Sequence, residues 1–177
     1  MLEFSSKRLI YRILSVDDVT QCYVDWLNDP EVNRYLEIRH YQQTKESCRE
    51  YVADMISNPS ENLFGIYIRK TRRHIGNIKL GFVNKHHQRA QIALFIGDKT
   101  FWGKGLSTEA IKAITLWGFN ELKLGKIEAG CYDNNKGSIR AFLKVGYQVE
   151  GHLRKNILFK GSRIDSFWLG VLPHEVT

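Results

Sequence analysis

The segment Phe101-Trp-Gly-Lys-Gly-Leu-Ser-Thr-Glu-Ala110 is the most informative part of the sequence. It lies between an apolar run at residues 92–96 and an amphipathic pattern over residues 107–120, so it joins a predicted strand to a predicted helix. Glycines at positions 103 and 105 allow a ligand to approach the main chain closely. The first N–H groups of a helix have no partners within it and carry the positive end of its dipole. The segment therefore predicts a binding site for a pyrophosphate, to which Lys104 adds positive charge.

Taken alone, two glycines at this spacing are also compatible with a tight turn that caps a helix, and this structural alternative stays open. Two other phosphate-binding patterns are excluded by the spacing. The segment contains no Gly-Lys-Ser/Thr, which ends a P-loop, and no third glycine, which a dinucleotide-binding fingerprint requires.

Outside this segment, the hydrophobic periodicity predicts one mixed sheet with helices packed on it, in the order β-α-α-β-β-β-α-β-α-β-β. We predict strands at residues 7–13, 63–69, 75–83, 92–96 and 126–132, two strands within residues 147–172, and helices at residues 17–27, 44–57, 107–120 and 135–144. No repeat or flexible linker interrupts this pattern, so residues 1–177 are expected to form a single domain.

The composition predicts a cytoplasmic protein, because the sequence shows neither a membrane-spanning window nor a signal peptide. Lys and Arg number 26 against 19 Asp and Glu. This excess is compatible with an anionic small ligand, with nucleic acid or with solubility alone. No nucleic-acid recognition motif is present, so neither nucleic acid nor a membrane is expected as a partner. Cys22, Cys48 and Cys131 suit no disulfide framework and are expected to be reduced and mostly buried.

With its flanking residues, the segment at 101–110 resembles the acetyl-CoA-binding motif of the GNAT superfamily of N-acetyltransferases. The superfamily pattern is Gln/Arg-x-x-Gly-x-Gly/Ala. Its glycine positions match Gly103 and Gly105, and Thr100 stands in place of the Gln or Arg. A second segment, Asn135-Lys-Gly-Ser-Ile-Arg-Ala-Phe-Leu-Lys-Val-Gly-Tyr147, resembles the Asn-x-x-Ser/Ala…Gly-Phe/Tyr signature of the next strand–helix–strand unit.

Two further segments are similar to the ribosomal-protein acetyltransferases RimJ and RimL. They are Trp26-Leu-Asn-Asp-Pro-Glu-Val32 and Val149-Glu-Gly-His-Leu-Arg154. The resemblance covers nearly the whole chain. It implies the GNAT fold, of the α+β (α/β) class: a mixed, mostly antiparallel sheet of six to seven strands, splayed between the fourth and fifth strands and flanked by about four helices.

The same resemblance implies that acetyl-CoA is the cosubstrate and lies in the splay between residues 91–97 and 126–133. The residues expected to contact it are Phe101, Trp102, Gly103, Lys104, Gly105, Leu106, Ser107, Asn135 and Arg140. Arg140 belongs to a basic stripe with Lys136 and Lys144, for which an ordinary solvated face is an equal alternative.

The reaction that the resemblance implies is direct attack of an amine on the thioester in a ternary complex, with a proton supplied to the leaving sulfur. Many relatives donate this proton from a Tyr at the position of Phe142, which has no hydroxyl to donate. In the RimL-like branch a Ser at the position of Ser138 is proposed to donate it, so the resemblance implies this role for Ser138, with Asn135 beside it in the catalytic site. Capping of the helix is the alternative role for both residues.

The general base stays open, because Ala90-Gln-Ile92 has no carboxylate where relatives often carry a Glu. The remaining candidates are Asp98, Glu128, Asp133 and His152. For each of them, a solvated or ion-paired side chain is the alternative.

In this superfamily the first two helices and the last pair of strands select the acceptor. We therefore expect the acceptor to contact Trp26, Asn28, Tyr35, Arg39 and Gln91, although the aromatic residues also suit a core. Likeness to RimJ and RimL implies a protein N-terminus as the acceptor. An amino group on a nucleotide-linked sugar, or another small amine, stays open, and a homodimer is compatible with the resemblance.

Two alternative functions of other classes also stay open. A noncatalytic acyl-CoA-binding module is allowed because the Tyr and the strand Glu are both missing, and a nucleic-acid-binding domain is suggested by charge alone. His74, His86 and His87 have no neighbouring Cys or carboxylate in the sequence, so no metal site is expected.

Overall fold

One eight-stranded sheet organises the molecule, and the computed structural model describes residues 2–177. Its strands are β1 (Glu3–Ser5), β2 (Leu9–Ile13), β3 (Asn62–Ile68), β4 (His74–Asn84), β5 (Arg89–Ile96), β6 (Lys126–Tyr132), β7 (Gln148–Phe159) and β8 (Ser162–Val171). The spatial order is β1-β2-β3-β4-β5-β6-β8-β7. Among residues 2–177, only β5 and β6 pair in parallel, and every other neighbouring pair is antiparallel.

Four α-helices accompany the sheet: α1 (Gln21–Asn28), α2 (Lys45–Ser57), α3 (Leu106–Glu121) and α4 (Lys136–Leu143). Three of them begin at a side chain that accepts a hydrogen bond from the first turn, namely Thr20, Thr44 and Asn135. Such caps satisfy N–H groups that the helix itself cannot. Helix α3 differs, because its N-cap is Gly105, which has no side chain to offer.

The helices enclose two hydrophobic clusters. The larger one packs α3 and α4 against the sheet, with Ile111, Ile114 and Phe142 fully or almost fully buried. The smaller one joins α1 and α2 to the sheet through residues that include Tyr23 and Val52. Apolar residues at helical spacing on each helix and alternating residues on each strand create these two interfaces.

The parallel pair β5–β6 is joined only over a short length. Arg89, Ala90 and Gln91 pair with Lys126, Ile127 and Glu128, and the register ends there. Beyond that point β5 continues to Ile96 and β6 to Tyr132 without pairing to each other, so the sheet opens toward the carboxyl ends of both strands. The predicted mixed, splayed sheet with four flanking α-helices is confirmed.

Two details of the prediction were wrong. The sheet has eight strands rather than six to seven, because Glu3–Ser5 adds an edge strand by pairing with β2. The first helix begins at Gln21 rather than at residue 17, since Val16–Asp18 forms a separate 3₁₀ turn. Cys22 is exposed, whereas Cys48 and Cys131 are buried as expected. Within residues 2–177, no helix combines the length and apolar character needed to cross a membrane.

Candidate active site

A glycine turn, residues 103–108, connects the open end of β5 to α3. Gly103 and Gly105 adopt φ angles of 71° and 72°. These lie in the left-handed region, where any residue with a Cβ is strained. A Cβ at Gly103 would meet no other atom within 4 Å. The glycine there is therefore required by the backbone conformation rather than by packing inside the protein.

The main-chain N–H groups of the glycine turn are free to bind a ligand. Trp102 N–H donates to the Lys99 carbonyl at 3.1 Å, and Glu109 N–H donates to the Gly105 carbonyl at 3.2 Å. Between them, none of the N–H groups of residues 103–108 has a partner among residues 2–177. Because they converge on the positive end of α3, they form a binding site for an anion. Trp102 instead anchors the turn, since its indole Nε1 donates to the Ile96 carbonyl at 2.7 Å.

The start of β2 holds this turn in place from the other side. The Arg8 guanidinium donates to the Glu109 carboxylate at 2.6 Å and to the Lys104 carbonyl at 2.9 Å. Ser6 Oγ donates to the same carboxylate at 2.7 Å. The turn is thus fixed before any ligand arrives.

A cleft of about 570 Å³ runs from the glycine turn along the open end of β5 to α4. It brings together most of the predicted cofactor-contacting residues: Phe101, Trp102, Gly103, Gly105, Leu106, Ser107, Asn135 and Arg140. The predicted proton donor Ser138 and the predicted acceptor contact Tyr35 also line it. Lys104 instead lines a neighbouring cavity.

Ser138 and Asn135 occupy the first turn of α4. Asn135 Oδ1 accepts a hydrogen bond from Ser138 N–H at 3.3 Å, so Asn135 caps the helix as well as lining the cleft. Ser138 Oγ lies 3.5 Å from the Cys131 sulfur. Burial raises the pKa of the Cys131 thiol. The thiol is thus a neutral neighbour of the Ser138 hydroxyl.

An aromatic cluster of Tyr35, Tyr132 and Phe159 borders the cleft where the strands separate. The ring of Tyr35 stacks on Phe159 with centroids 5.8 Å apart, and Tyr132 meets both rings edge-on. Arg39 lies over Tyr132 and donates to its hydroxyl at 2.8 Å. The Tyr132 hydroxyl in turn donates to Glu37. Burial, followed by the hydrogen bond to Glu37, raises the pKa of Tyr132.

Three other predicted acceptor contacts lie outside the cleft. Trp26 is buried, and its ring occupies the space where a Cβ on Gly97 would be, 2.1 Å from the nearest ring atom. The Asn28 side chain donates to the Gln43 carbonyl and accepts from its N–H, both at 2.9 Å. Gln91 pairs with Glu128 at the closed end of the splay. Their role toward an acceptor stays a prediction.

Each carboxylate candidate for the general base has a basic partner, whereas His152 has an acidic one. Asp98 pairs with Arg73 at 2.5 Å, and Glu128 pairs with Arg89 at 2.9 Å. Asp133 contacts Lys136, and His152 lies 2.6 Å from Asp165. A paired carboxylate is a weak base. Neither these carboxylates nor His152 lines the cleft, so the arrangement singles out none of the four.

Comparison with known sequences identifies the family. The family described as the acetyltransferase (GNAT) domain matches residues 8–148, which include both ends of the Arg8–Glu109 contact and the whole cleft-forming region from β2 to α4. The chain belongs to the GNAT acetyltransferases.

Relatives of this GNAT chain are N-acetyltransferases. A probable N-acetyltransferase of Bacillus subtilis, YjcK, is 36% identical over 136 residues, covering 76% of this chain and 68% of the relative. The uncharacterized N-acetyltransferase p20 of Bacillus licheniformis is 28% identical over 172 residues, with 96% of each chain covered. The spermidine N-acetyltransferase of Vibrio cholerae, solved with CoA and spermine, has the same fold, with a TM-score of 0.87, 21% identity and coverage of 96% of this chain and 98% of that one.

Membership in the GNAT family makes this protein an acyltransferase that uses acetyl-CoA. The residues present fit that cosubstrate, because the unpaired N–H groups of the glycine turn suit the diphosphate of CoA. The GNAT cleft also contains Arg34, a residue that the sequence did not indicate. Arg8 and Tyr132 were missed as well, since nothing in their local sequence connects them with the glycine turn or the acceptor side.

Residues 2–177 contain no group of three or more His, Cys, Asp or Glu side chains arranged to hold a metal ion. His86 and His87 are exposed, and His74 is packed among aromatic rings.

Proposed function

We propose that this GNAT enzyme acetylates a protein N-terminus, by direct attack of the amine on acetyl-CoA within a ternary complex. The proposal also places the enzyme in the RimJ/RimL branch, which its sequence resembles. Its main support is the row of unpaired N–H groups in the glycine turn, which opens on a cleft that continues to Ser138. Cytoplasmic location and a homodimer stay predictions.

In this proposal the glycine turn holds the diphosphate, and the cleft along β5 and α4 receives the rest of the cofactor. The N–H groups of residues 103–108 supply hydrogen bonds to negatively charged oxygens, which are stronger than those to neutral acceptors. Arg140 and Lys144 add positive charge on the α4 side of the cleft. When bound, acetyl-CoA supplies an activated acetyl group as a thioester.

The protein must then place the amine and the thioester together, and it must allow one proton to leave the amine and another to reach the sulfur. The new C–N bond forms as the C–S bond breaks, the amine loses a proton, and the sulfur departs as a thiolate or thiol. Ser138 lines the cleft from the first turn of α4, so its hydroxyl can donate a hydrogen bond or a proton to the sulfur. The proton from the amine goes to water, since none of the four candidate bases lines the cleft.

The charges around the aromatic cluster support a peptide acceptor. Arg39 already occupies the face of the Tyr132 ring, where a cationic ligand would otherwise bind. Arg39 pairs with Glu37 at 3.4 Å, which offsets its charge, and its guanidinium can donate hydrogen bonds to peptide carbonyls. The rings of Tyr35 and Phe159 provide apolar area for the side chains that follow the N-terminal residue.

A small amine is the second candidate, and the relatives favour it. The Vibrio cholerae structure with the same fold was solved with spermine, and a spermidine N(1)-acetyltransferase of Escherichia coli is 29% identical over 100 residues. Glu37, whose side chain is exposed, could attract a second ammonium group at the rim of this cluster.

A panel of acceptors separates the two candidates. We expect peptides with a free N-terminus to give the highest kcat/KM for release of CoA, with acetylation of the α-amine confirmed by mass spectrometry. The same peptides with a blocked N-terminus and an internal Lys serve as controls. A kcat/KM for spermidine above that of every peptide would overturn the choice of acceptor. A protein that binds acetyl-CoA but turns over no peptide, amino sugar or polyamine would contradict the proposed transfer.

A further inference from the structure

A second cavity lies beside the glycine turn, on the side away from the splay. It measures about 700 Å³, and we call it the basic pocket. Its lining residues are Lys7, Arg8, Ile68, Arg69, Lys70, Phe101, Lys104 and Leu106. The pocket shares Phe101 and Leu106 with the cofactor cleft, so the two cavities adjoin across the turn.

The charges of this pocket are all of one sign. Its lining contains Lys and Arg side chains and no carboxylate. In the described part of the chain, no carboxylate lies within ion-pair distance of Lys7, Lys70 or Lys104. Only Arg8 is neutralised, by Glu109. Cations gathered in a concave site repel one another, and the positive potential attracts an anion.

The lining of the basic pocket also contains apolar side chains, Ile68, Phe101 and Leu106. The Lys104 ammonium lies 5.3 Å from the centre of the Phe101 ring, and the Arg73 guanidinium lies 5.5 Å from it. Apolar walls lower the local dielectric and strengthen the attraction of the surrounding charges for an anion. The site therefore suits an anion that is carried on an organic body rather than a fully hydrated ion.

We propose that the basic pocket binds a phosphomonoester beside the diphosphate on the glycine turn. A phosphomonoester carries a charge of about −1.5 to −2 at neutral pH and three acceptor oxygens, which matches several lysines better than a carboxylate does. Two sources share this chemistry: the 3′-phosphate of CoA, and a phosphate on a separate ligand. Lys104 links the pocket to the turn, because it belongs to the turn and lines the pocket. The inference rests on the proposed binding of CoA by the glycine turn.

Calorimetric titration of CoA and dephospho-CoA, which differ only in the 3′-phosphate, tests this inference. We expect the wild type to bind CoA about tenfold more tightly, the gain that two or three partly exposed ion pairs provide. In the Lys7→Ser/Lys70→Ser variant, we expect the two ligands to bind within about twofold of each other, with the affinity for dephospho-CoA kept. Lys112 is an exposed lysine of α3 outside both cavities, so the control variant Lys112→Ser should retain the full preference for CoA.

The remaining outcomes decide the source or reject the site. If the wild type shows no preference, but inorganic phosphate binds in the presence of saturating dephospho-CoA and is lost in the double variant, the phosphate comes from a separate ligand. A preference that survives in the double variant and disappears in Arg140→Ser/Lys144→Ser would overturn the inference. So would equal binding of both coenzymes without any phosphate site, although the proposed function would then stand. Failure of both coenzymes to bind would reject the inference and the proposed function together.

Discussion

Arg8 and Glu109 are 101 residues apart in the sequence and join the start of β2 to the first turn of α3 through two hydrogen bonds. The Arg8 main-chain N–H donates to the carboxylate at 2.7 Å and its Nε at 2.6 Å. Burial alone would raise the pKa of Glu109, but the hydrogen bonds from Ser6 and Arg8 hold it below its ordinary value. Glu109 is therefore a carboxylate at neutral pH. Arg8 neutralises it at a helix end that must attract a diphosphate.

Replacing Arg8 by Gln should weaken the binding of acetyl-CoA. The variant leaves Glu109 as an uncompensated negative charge near the glycine turn and removes the hydrogen bond to the Lys104 carbonyl. Because the Arg8 side chain is about half exposed, solvent screens part of this effect. We expect the KM for acetyl-CoA to rise about five- to tenfold, with little change in kcat, as measured by steady-state release of CoA.

Glu109→Gln in the same background separates charge from structure. The double variant no longer carries the negative charge, so most of the affinity for acetyl-CoA should return, whereas Arg8→Lys should lose only part of it. A double variant that binds as weakly as Arg8→Gln alone would show that the contact matters only for holding the turn.

Gly105→Trp should abolish binding of acetyl-CoA while leaving the protein folded. The indole would cover the N–H groups of the turn, and the φ of 72° adds strain of about 1–2 kcal/mol for any residue with a Cβ. Gly161→Trp is the matched control, because Gly161 has a φ of 79° and open space around its Cβ position, in the turn between β7 and β8. Calorimetry should detect no binding to the first variant and ordinary binding to the second. Unchanged affinity in Gly105→Trp would remove the turn from the site.

Local signals in the sequence were sufficient for much of the fold. Helix α2 was predicted to begin after Thr44, and the Thr44 side chain does accept from Ser47 N–H at 3.1 Å. Strand β6 has the predicted bounds, Lys126–Tyr132, because a buried strand is an apolar run between turns. In contrast, β1 has three residues, and its identity as a strand depends on pairing with β2. The sequence of so short a segment does not indicate this pairing.

Local sequence likewise predicted some parts of the candidate site and not others. The glycine turn could be recognised because its glycines and its helix are contiguous in the sequence. The contact between Arg8 and Glu109 could not, since it joins segments on either side of five intervening strands and helices. The sequence also did not indicate whether an aromatic side chain points into the core or into the cleft. Trp26 was predicted to contact the acceptor, yet its ring is buried against Gly97, whereas Tyr35 of the same region lines the cleft.

Ser138→Ala should lower kcat by at least about tenfold and leave the KM for acetyl-CoA nearly unchanged. The hydroxyl assists the leaving sulfur in the transition state, and it contributes little to holding the ground-state cofactor. The capping hydrogen bond to Asn135 uses the main-chain N–H of residue 138, so the substitution keeps it. Steady-state kinetics with a saturating acceptor measures both constants. Asn135→Ala is the control for helix stability, with an expected loss of about 1 kcal/mol. An unaltered kcat in Ser138→Ala would exclude the serine from proton transfer.

His74 should make the protein less stable as the pH falls below neutrality. Its Nε2 lies 3.0 Å from the Gly76 carbonyl and 2.8 Å from Asn77 Oδ1. Both are acceptors, so the neutral ring with its proton on Nε2 satisfies them. The ring also stacks on Tyr67 with centroids 4.7 Å apart. Burial lowers the pKa of His74, and the hydrogen bonds oppose this shift only in part.

Because the folded-state pKa lies below the unfolded one, the unfolded chain takes up this proton first. The contribution of neutral His74 is therefore complete above about pH 6.5 and is lost as the pH falls through the folded-state pKa. Urea unfolding at pH 7.5 and pH 5.5 should show a decrease in the free energy of unfolding for the wild type. His74→Gln should be less stable at pH 7.5, by about 1–3 kcal/mol, and should show a smaller decrease on acidification. His86→Gln, at an exposed position, should retain the wild-type decrease, and an equal decrease in all three proteins would assign the acid sensitivity to other groups.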